Sequence, residues 1–270
     1  MTQSTSKTTE RVALSIIGGG NMGSALLGGL LNAGWSATDI VVVEVDEGKR
    51  HDLTTRFGVT CVAEIIACDG AVVAVKPAGV VDVCRRLREV GVSRVLSIAA
   101  GVATSAMQDA LGDTAVAVRA MPNTPALVGE GASVISGSSA SSDDDLDWAE
   151  SILQSVGIVI RVNEEDIDAV TAVAGSGPGY LFLMAEALIE AGVAEGLSRD
   201  VATALVRQLF KGSGALLASS PLDAGTLREQ VTSPGGTTAA GLAVFDEAGF
   251  REIVNKVVHA AAARSREMRG

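Results

Sequence analysis

A glycine-rich turn near the start of the sequence constrains the fold more than any other feature. An apolar run, VALSIIG at residues 12–18, leads into a turn with the pattern G-x-G-x-x-G, Gly18-Gly19-Gly20-Asn21-Met22-Gly23. Where such a turn joins a strand to a helix, its first glycine permits a tight bend and its second lets a pyrophosphate approach the backbone. The third lets helix and strand pack closely. An isolated match is not specific, so the surrounding pattern has to support the same fold.

Apolar, β-branched runs continue beyond this turn and alternate with helical patterns at residues 22–32, 80–90 and 104–111. Five runs are typical of buried parallel strands: VALSIIG (12–18), DIVVVEV (39–45), GAVVAV (70–75), RVLSIA (94–99) and AVAVRAM (115–121). Two further candidate strands, GASVISG and GIVIRV, flank a polar surface loop and a helical stretch near Trp148. This alternation predicts a doubly wound α/β sheet of the Rossmann type.

The strand pattern stops at about residue 163, and only helical patterns follow. They cover residues 168–174, 180–196, 201–218, 222–231, 238–248 and 251–266. Ser198 is placed as a helix N-cap, and Gly196 is placed as a helix stop. The sequence therefore predicts a disordered tail at 1–10, a dinucleotide-binding domain at 11–163 and an all-helical domain at 164–270.

Composition and charge exclude several classes of partner. A net charge of −11 argues against nucleic acid and against anionic membranes, because binding to both depends on Lys and Arg. The three cysteines, Cys61, Cys68 and Cys84, and the two histidines have no metal-ligand spacing, so neither a metal site nor a disulfide framework is expected. The polar N-terminal residues indicate no secretory signal. The longest uncharged run, 169–185, is interrupted by GSGPG and is predicted to be too short to span a bilayer, so a cytoplasmic location is expected.

Residues with binding potential follow the strands at their carboxyl ends, where open α/β sheets hold ligands. Glu44 ends the second run and occupies the position of the acid that accepts hydrogen bonds from a ribose. Val75-Lys76-Pro77 follows the third run, and a cofactor contact by Lys76 is favoured over an ordinary exposed lysine. Loops that contain Ala100 and Asn123 follow the fourth and fifth runs and are expected to form the floor under a nicotinamide ring.

Side-chain catalysts are not evident in the sequence. It has no recognisable Ser-His-Asp or Cys-His arrangement and no clear pair of carboxylates. A cofactor is therefore expected to carry the reaction, and hydride transfer from NADH or NADPH suits a protein that supplies mainly orientation and electrostatics.

An unusual turn interrupts the helical half of the sequence. It contains two glycines, a proline and three hydroxyl residues, Ser233-Pro234-Gly235-Gly236-Thr237-Thr238, although a simple helix connection needs only one glycine. Several motifs occur together with it, in the order IGGGNMG, AVKP, AAGV, MPNTP, IDAVTAVAGSGPGY and LREQVTSPGGTT. In this combination the sequence closely resembles the pyrroline-5-carboxylate reductase family of proline biosynthesis, over nearly the whole range 11–266.

The resemblance implies an NAD(P)H-dependent reductase of the C=N bond of 1-pyrroline-5-carboxylate, with a helical dimerisation domain and a substrate site where two such domains interlock. A homodimer is expected, and a larger ring of dimers is possible. Carried over by position, Ser233 and the backbone from Gly235 to Thr238 form a cradle for the substrate carboxylate, since a glycine turn at a helix N-terminus exposes amide donors. The Thr238 hydroxyl is placed to hydrogen-bond the ring nitrogen as the catalytic contact.

Two more contacts and several departures follow from the same comparison. Glu164 falls on a substrate-contact position, which is favoured over the alternative of an ordinary acid at a helix N-terminus. Gln230 matches a cofactor contact that is usually Asn. Gly179 replaces an alanine, and Cys61 stands where many relatives have an asparagine near the adenosine.

Glu44 occupies a position that the family often gives to Ser or Thr. With Asp46, it would repel the 2′-phosphate of NADPH. Lys49 and Arg50, at the start of the next helix, act in the opposite direction. A preference for NADH is expected because Glu44 occupies the strand end that faces the ribose. Lys49 and Arg50 would have to reach back to a 2′-phosphate there, at a cost in side-chain entropy.

Two other functions remain open at this point. A reductase of the hydroxyacid or 6-phosphogluconate dehydrogenase type would use a helical-domain lysine as acid and base, and Lys211 and Lys256 are the lysines in that domain. A nucleotide-binding sensor without turnover would be expected to have a degenerate substrate loop, but SPGGTT is intact.

Overall fold

The computed structural model describes residues 11–268, so the predicted tail at 1–10 lies outside the described residues. Within them the chain forms two compact units. The first comprises residues 11–175 together with 262–268, and the second is Ser176–Ala261.

An eight-stranded sheet organises the first unit. The strands are β1 (Val12–Ile17), β2 (Ile40–Val43), β3 (Thr60–Val62), β4 (Cys68–Val73), β5 (Arg94–Ser97), β6 (Val116–Met121), β7 (Gly131–Gly137) and β8 (Gly157–Arg161). Their order is β3-β2-β1-β4-β5-β6-β7-β8, and all neighbours are parallel except β6 and β7. The chain reverses its direction of winding between β1 and β4, which is the point where such sheets bind ligands. The predicted α/β fold class is confirmed.

Helices cover both faces of this sheet. They are α1 (Asn21–Asn32), α2 (Glu47–Phe57), α3 (Val80–Glu89), α4 (Thr104–Leu111) and α5 (Asp143–Leu153). One apolar core includes Leu26, Leu53 and Ile152 from α1, α2 and α5. A second core includes Leu87 and Met107 from α3 and α4. Since both sheet faces are buried, the central strands are mainly apolar, as the sequence pattern indicated, with Arg119 on β6 as a buried charged exception.

The helical segments on the two sides of the GSGPG motif follow each other closely in the chain. α6 (Ile167–Val170) continues into a π-helical turn, Thr171–Gly175. α7 (Gly177–Ala194) begins two residues later, with Pro178 in its first turn, where the missing N–H is tolerated. Between α6 and α7, the regular helical structure is therefore interrupted at Ser176 alone. Among the described residues, one helical stretch, Glu164–Ala194, is long and apolar enough to cross a membrane by length and composition alone.

The second unit is helical, as predicted. After α7 it contains α8 (Arg199–Ser219), α9 (Ala224–Gln230), α10 (Thr237–Glu247) and most of α11 (Phe250–Met268). The predicted N-cap, Ser198, accepts a hydrogen bond from the Val201 amide, and Gly196 adopts φ +101° after α7 ends. Many large apolar side chains of this unit are exposed in the single chain, including Leu181, Phe182, Leu183, Leu205, Leu209 and Val244.

Candidate functional site

The glycine turn has the geometry that its sequence predicts. Gly18 adopts φ +108°, and a Cβ there would lie 2.7 Å from the Ala74 carbonyl oxygen. A Cβ on Gly23 would lie 2.1 Å from the Gly18 carbonyl oxygen, so only glycine lets α1 approach β1 this closely. A Cβ on Gly20 would meet nothing within 4 Å. Gly18 and Gly23 are thus required by packing, whereas the space above Gly20 is open to a ligand.

The N-terminus of α1 is uncapped. Gly20 is the N-cap residue and offers no side chain, so the first amides of the helix, from Asn21 to Gly23, have no side-chain acceptor. Aligned amides and the helix dipole together favour an anion at this place. A dinucleotide pyrophosphate fits both the charge and the open space.

Glu44 lies directly after β2 and faces the glycine turn. Its carboxylate accepts hydrogen bonds from the Gly19 amide at 2.9 Å and from the Asp46 amide at 3.0 Å, and the side chain is buried. Arg50 donates from one guanidinium nitrogen to the carbonyl oxygens of Glu44 and Val45, both at 2.8 Å. The Glu44 carboxylate is therefore held at the position where the sequence predicted a ribose contact. The nearby Arg50 guanidinium is hydrogen-bonded to the backbone.

A cavity of about 350 Å³ adjoins the glycine turn on the α1 and α2 side. Its lining includes Gly19, Gly20 and Asn21 together with the basic residues Lys49 and Arg56. Basic side chains near the turn agree with a phosphate-containing ligand.

The loops after β4, β5 and β6 lie at the same edge as the glycine turn. The Ala74 amide donates to the Ile17 carbonyl at 2.8 Å and the Ile98 amide to the Val73 carbonyl at 3.1 Å, which aligns these strand ends. Lys76 is exposed at the start of a short turn, Pro77–Gly79, and Val75 and Ala100 are half-buried.

The side chain of Asn123, in the loop after β6, forms two hydrogen bonds to the backbone. Its side-chain oxygen accepts from the Ala132 amide at 2.9 Å, and its side-chain nitrogen donates to the Ala174 carbonyl at 3.1 Å. The side chain thereby fixes its own loop against the start of β7 and the π-helical turn. The predicted cofactor contact falls on this braced loop.

Glu164 has partners that the sequence did not reveal. Its carboxylate accepts hydrogen bonds from the Thr104 amide at 2.8 Å and from the Thr104 hydroxyl, and it pairs with Arg119 at 3.2 Å. Burial alone would raise the pKa of Glu164, but the Thr104 hydrogen bonds and the Arg119 charge hold that pKa below its ordinary value. A signal was present in the sequence, because an arginine inside the apolar run AVAVRAM is a buried charge that requires a partner.

The SPGGTT turn and Gln230 belong to the second unit. Gly235 adopts φ +69°, and a Cβ on Gly236 would lie 2.4 Å from the Ser233 hydroxyl oxygen. Gly236 is the N-cap residue of α10 and gives no side-chain cap, so the first amides of α10 have no side-chain acceptor. Thr237 and Thr238 are exposed at this helix start. The turn can therefore accept a carboxylate.

Within residues 11–268, no group of three or more His, Cys, Asp or Glu side chains is arranged to hold a metal ion.

Comparisons with known proteins agree with this geometry. Residues 164–268 match the family model described as pyrroline-5-carboxylate reductase dimerisation, and residues 13–101 match the model described as NADP oxidoreductase coenzyme F420-dependent. A pyrroline-5-carboxylate reductase of Mycobacterium tuberculosis is 38% identical, with 95% of this chain and 96% of that protein covered.

Two solved structures are similar over nearly their whole length. A pyrroline-5-carboxylate reductase from Coxiella burnetii is 34% identical, with a TM-score of 0.91 and coverage of 97% of this chain and 100% of that chain. A Plasmodium falciparum pyrroline carboxylate reductase with NADP bound is 31% identical, with a TM-score of 0.84 and coverage of 97% and 99%.

Proposed function

Because the chain belongs to the pyrroline-5-carboxylate reductase family, we propose that it reduces the C=N bond of 1-pyrroline-5-carboxylate with NAD(P)H and forms L-proline. The structural observation that carries this function is the intact SPGGTT turn, whose uncapped helix start suits a small carboxylate. The relatives do not favour the hydroxyacid dehydrogenase alternative. Its candidate lysines, Lys211 and Lys256, are exposed, and Lys256 lies 3.7 Å from Glu252 on its own helix.

The substrate is held by the backbone of the SPGGTT turn. Amides at the start of α10 donate to its carboxylate, and the Ser233 side chain lies beside Gly236. The Thr238 hydroxyl accepts a hydrogen bond from the protonated ring nitrogen, which keeps the imine carbon electrophilic and oriented. A protonated imine needs no further acid, so Thr238 assists the reaction without being indispensable.

The cofactor is held at the edge of the sheet. Backbone amides from Gly18 to Gly23 would hold its pyrophosphate, and Glu44 would hold its ribose hydroxyls. Val75, Lys76, Pro77, Ala100 and Asn123 would give further contacts from the same edge, and Gln230 is assigned a cofactor contact by family resemblance alone. When bound, the dihydronicotinamide would supply the hydride, and the chain would supply its orientation and the surrounding electrostatics.

We propose that NADH is preferred to NADPH. The Glu44 carboxylate is fixed by the Gly19 and Asp46 amides at the end of β2, where a 2′-phosphate would meet its charge. Arg50 is restrained by two backbone carbonyls, which limits its reach to that phosphate. Lys49 remains the basic side chain that supports residual activity with NADPH.

The working form is proposed to be a homodimer, with a ring of dimers as a larger assembly. Exposed apolar side chains on α7 and α8, such as Phe182 and Leu205, lie within the region matched by the dimerisation family model. A second copy of the chain would cover these side chains, so their exposure in the single chain does not require a membrane.

A cytoplasmic location agrees with Cys61, Cys68 and Cys84, which form no disulfide within the described residues.

One assay separates the proposed functions. The full-length protein is mixed with NADH or NADPH and 1-pyrroline-5-carboxylate, and oxidation of the cofactor is followed by absorbance. In parallel, 3-hydroxy acids are offered with NAD or NADP. Turnover with the imino acid alone is expected. Turnover with hydroxy acids alone would support the dehydrogenase alternative, and cofactor binding without any turnover would support a sensor.

A further inference from the structure

The loop between β5 and α4, residues 98–103, borders the edge that holds the cofactor, but its own sequence does little to fix it. It consists of small and apolar residues, and α4 begins after Ala103 without a side-chain cap from its own N-cap residue. The amides of a helix N-terminus need an acceptor when they are partly buried. That acceptor comes from elsewhere in the chain.

Glu164 supplies the missing cap from a position 60 residues later in the sequence. One carboxylate oxygen accepts from the Thr104 amide, and the other accepts from the Thr104 hydroxyl. Both bonds are charge-assisted, which makes them stronger than bonds between neutral groups. The carboxylate is thus bound to the first residue of α4.

Arg119 holds the same carboxylate, because its guanidinium donates to the oxygen that accepts from the Thr104 amide. Its side chain is 1% exposed, whereas that of Glu164 is 27% exposed, and the two groups are 3.2 Å apart. The Nε atom of Arg119 has no hydrogen-bond partner in the described structure, and Glu164 forms an ion pair with its guanidinium. A buried arginine on a central strand holds the carboxylate in place far better than an exposed one would, because its side chain has little freedom to move.

The end of α11 also lies close to this loop. Gly101 adopts φ +76°, and a Cβ there would lie 3.1 Å from the Met268 carbonyl oxygen. Ser265 donates a hydrogen bond of 2.7 Å to the Asp168 carboxylate. The segments just after Glu164 and at the end of α11 therefore meet beside the loop, within the first unit.

We propose that Glu164 and Arg119 are positioning residues that clamp the β5–α4 loop through Thr104 and so keep the cofactor edge in its binding geometry. This inference rests on the proposed function for the location of the cofactor. It gives Glu164 an effect on dinucleotide affinity, whereas a direct substrate contact would give it an effect on imino-acid affinity.

The test uses the full-length protein and four single variants. Thr104→Val removes the hydroxyl donor but keeps the shape, and Thr104→Ser restores the donor. Glu164→Gln removes the charge, and Glu165→Gln makes the same change at the exposed neighbouring residue as a matched control. The Kd of NADH is measured by fluorescence titration, and KM values for NADH and 1-pyrroline-5-carboxylate are measured separately. Thermal unfolding shows that each variant is folded.

Thr104→Val and Glu164→Gln are expected to raise the Kd and KM of NADH by about three- to tenfold, because each removes a hydrogen bond to a charged group. The KM of the imino acid should change much less. Thr104→Ser and Glu165→Gln should behave like the wild type. The double variant Thr104→Val/Glu164→Gln should be no worse than Glu164→Gln alone, since both changes break the same contact.

A different pattern would overturn the clamp. If Glu164→Gln raises the KM of the imino acid while the NADH Kd stays unchanged, Glu164 is a substrate contact. If Thr104→Val binds NADH as the wild type does, the clamp does not support the cofactor edge. The NADH titration needs no turnover, so a failure of the proposed reaction would be recognised separately, by a wild-type protein that binds NADH but does not reduce the imino acid.

Discussion

At the scale of single residues, the proposed mechanism assigns the chemistry to very few side chains. Thr238 is the one hydroxyl assigned to the reacting ring, while the substrate carboxylate and the cofactor pyrophosphate are assigned to backbone amides at two helix starts. Substitutions other than proline leave a backbone N–H in place, so side-chain variants should weaken the reaction without abolishing it.

Thr238→Ala tests the one assigned hydroxyl. Loss of its hydrogen bond to the protonated imine should cost about 1–3 kcal/mol of transition-state stabilisation, which is roughly 5- to 150-fold in kcat/KM. The Kd of NADH should not change. Steady-state kinetics and NADH titration measure both quantities, with Thr238→Ser as the control that keeps the hydroxyl. Wild-type kcat/KM in the alanine variant would remove Thr238 from the mechanism.

Glu44→Gln tests the origin of the cofactor preference. Glutamine keeps the size of the side chain and one acceptor for the Gly19 amide, but it removes the negative charge at the end of β2. The ratio of kcat/KM for NADH to that for NADPH should therefore fall, mainly because NADPH improves. Glu44→Ser should shift the ratio in the same direction. A wild-type protein that already prefers NADPH strongly would show that Glu44 does not set the preference.

Sequence patterns located these residues but not their partners. The position of Glu44 follows from the end of an apolar run, whereas its bond to Gly19 joins residues 25 positions apart. Glu164 could be identified by resemblance, but Thr104 and Arg119 could not be assigned to it, because local periodicity carries no information about contacts across 45 to 60 residues. Arg119 could have indicated such a contact, since a charge in a buried strand requires a partner of opposite charge.

At the scale of elements, the glycines in the turn between β1 and α1 have different roles, one in packing and one in binding. A methyl group on Gly23 would overlap the Gly18 carbonyl at 2.1 Å, whereas one on Gly20 would meet no protein atom within 4 Å. Gly20 also has φ −70°, which alanine adopts easily. The two glycines should therefore fail in different ways when replaced.

Gly20→Ala and Gly23→Ala form a matched pair. Gly23→Ala should destabilise the fold by about 1–3 kcal/mol through overpacking, visible as a lower Tm. Gly20→Ala should keep the wild-type Tm but bind NADH about tenfold more weakly or worse, because the methyl group occupies the space for the pyrophosphate. Equal NADH affinities for Gly20→Ala and wild type would place the pyrophosphate elsewhere.

The elements themselves were largely predictable. All seven apolar runs are strands, because strands buried on both faces leave a continuous apolar pattern. β3 was missed, since three residues at a sheet edge give no periodicity. GSGPG was interpreted as a break, but a π-helical turn and a proline in the first turn of α7 let the helical structure resume at once.

At the scale of the whole molecule, the second unit leaves many large apolar side chains exposed in the single chain, as a surface for a protein partner would. Phe182 is 68% exposed on α7, within the region matched by the dimerisation family model. Val128 is 76% exposed in the first unit, outside that region. Both side chains are strongly exposed, but only Phe182 lies on the surface proposed as the dimer interface, so Val128 serves as its control.

Phe182→Asp should weaken the homodimer, because a buried carboxylate without a partner is strongly unfavourable. Val128→Asp should leave the dimer intact. Light scattering coupled to size exclusion measures the mass of each variant and of the wild type. An active wild-type monomer would contradict the assigned interface.

The central claim is that a hydride passes to the imine carbon of 1-pyrroline-5-carboxylate, and isotope transfer tests it most directly. The wild-type protein is incubated with the imino acid and NADH carrying deuterium at both C4 positions, and the product is analysed by NMR and mass spectrometry. The account predicts L-proline with a single deuterium at Cδ, the former imine carbon. Oxidation of the labelled cofactor without deuterium in proline, or no proline at all, would contradict it.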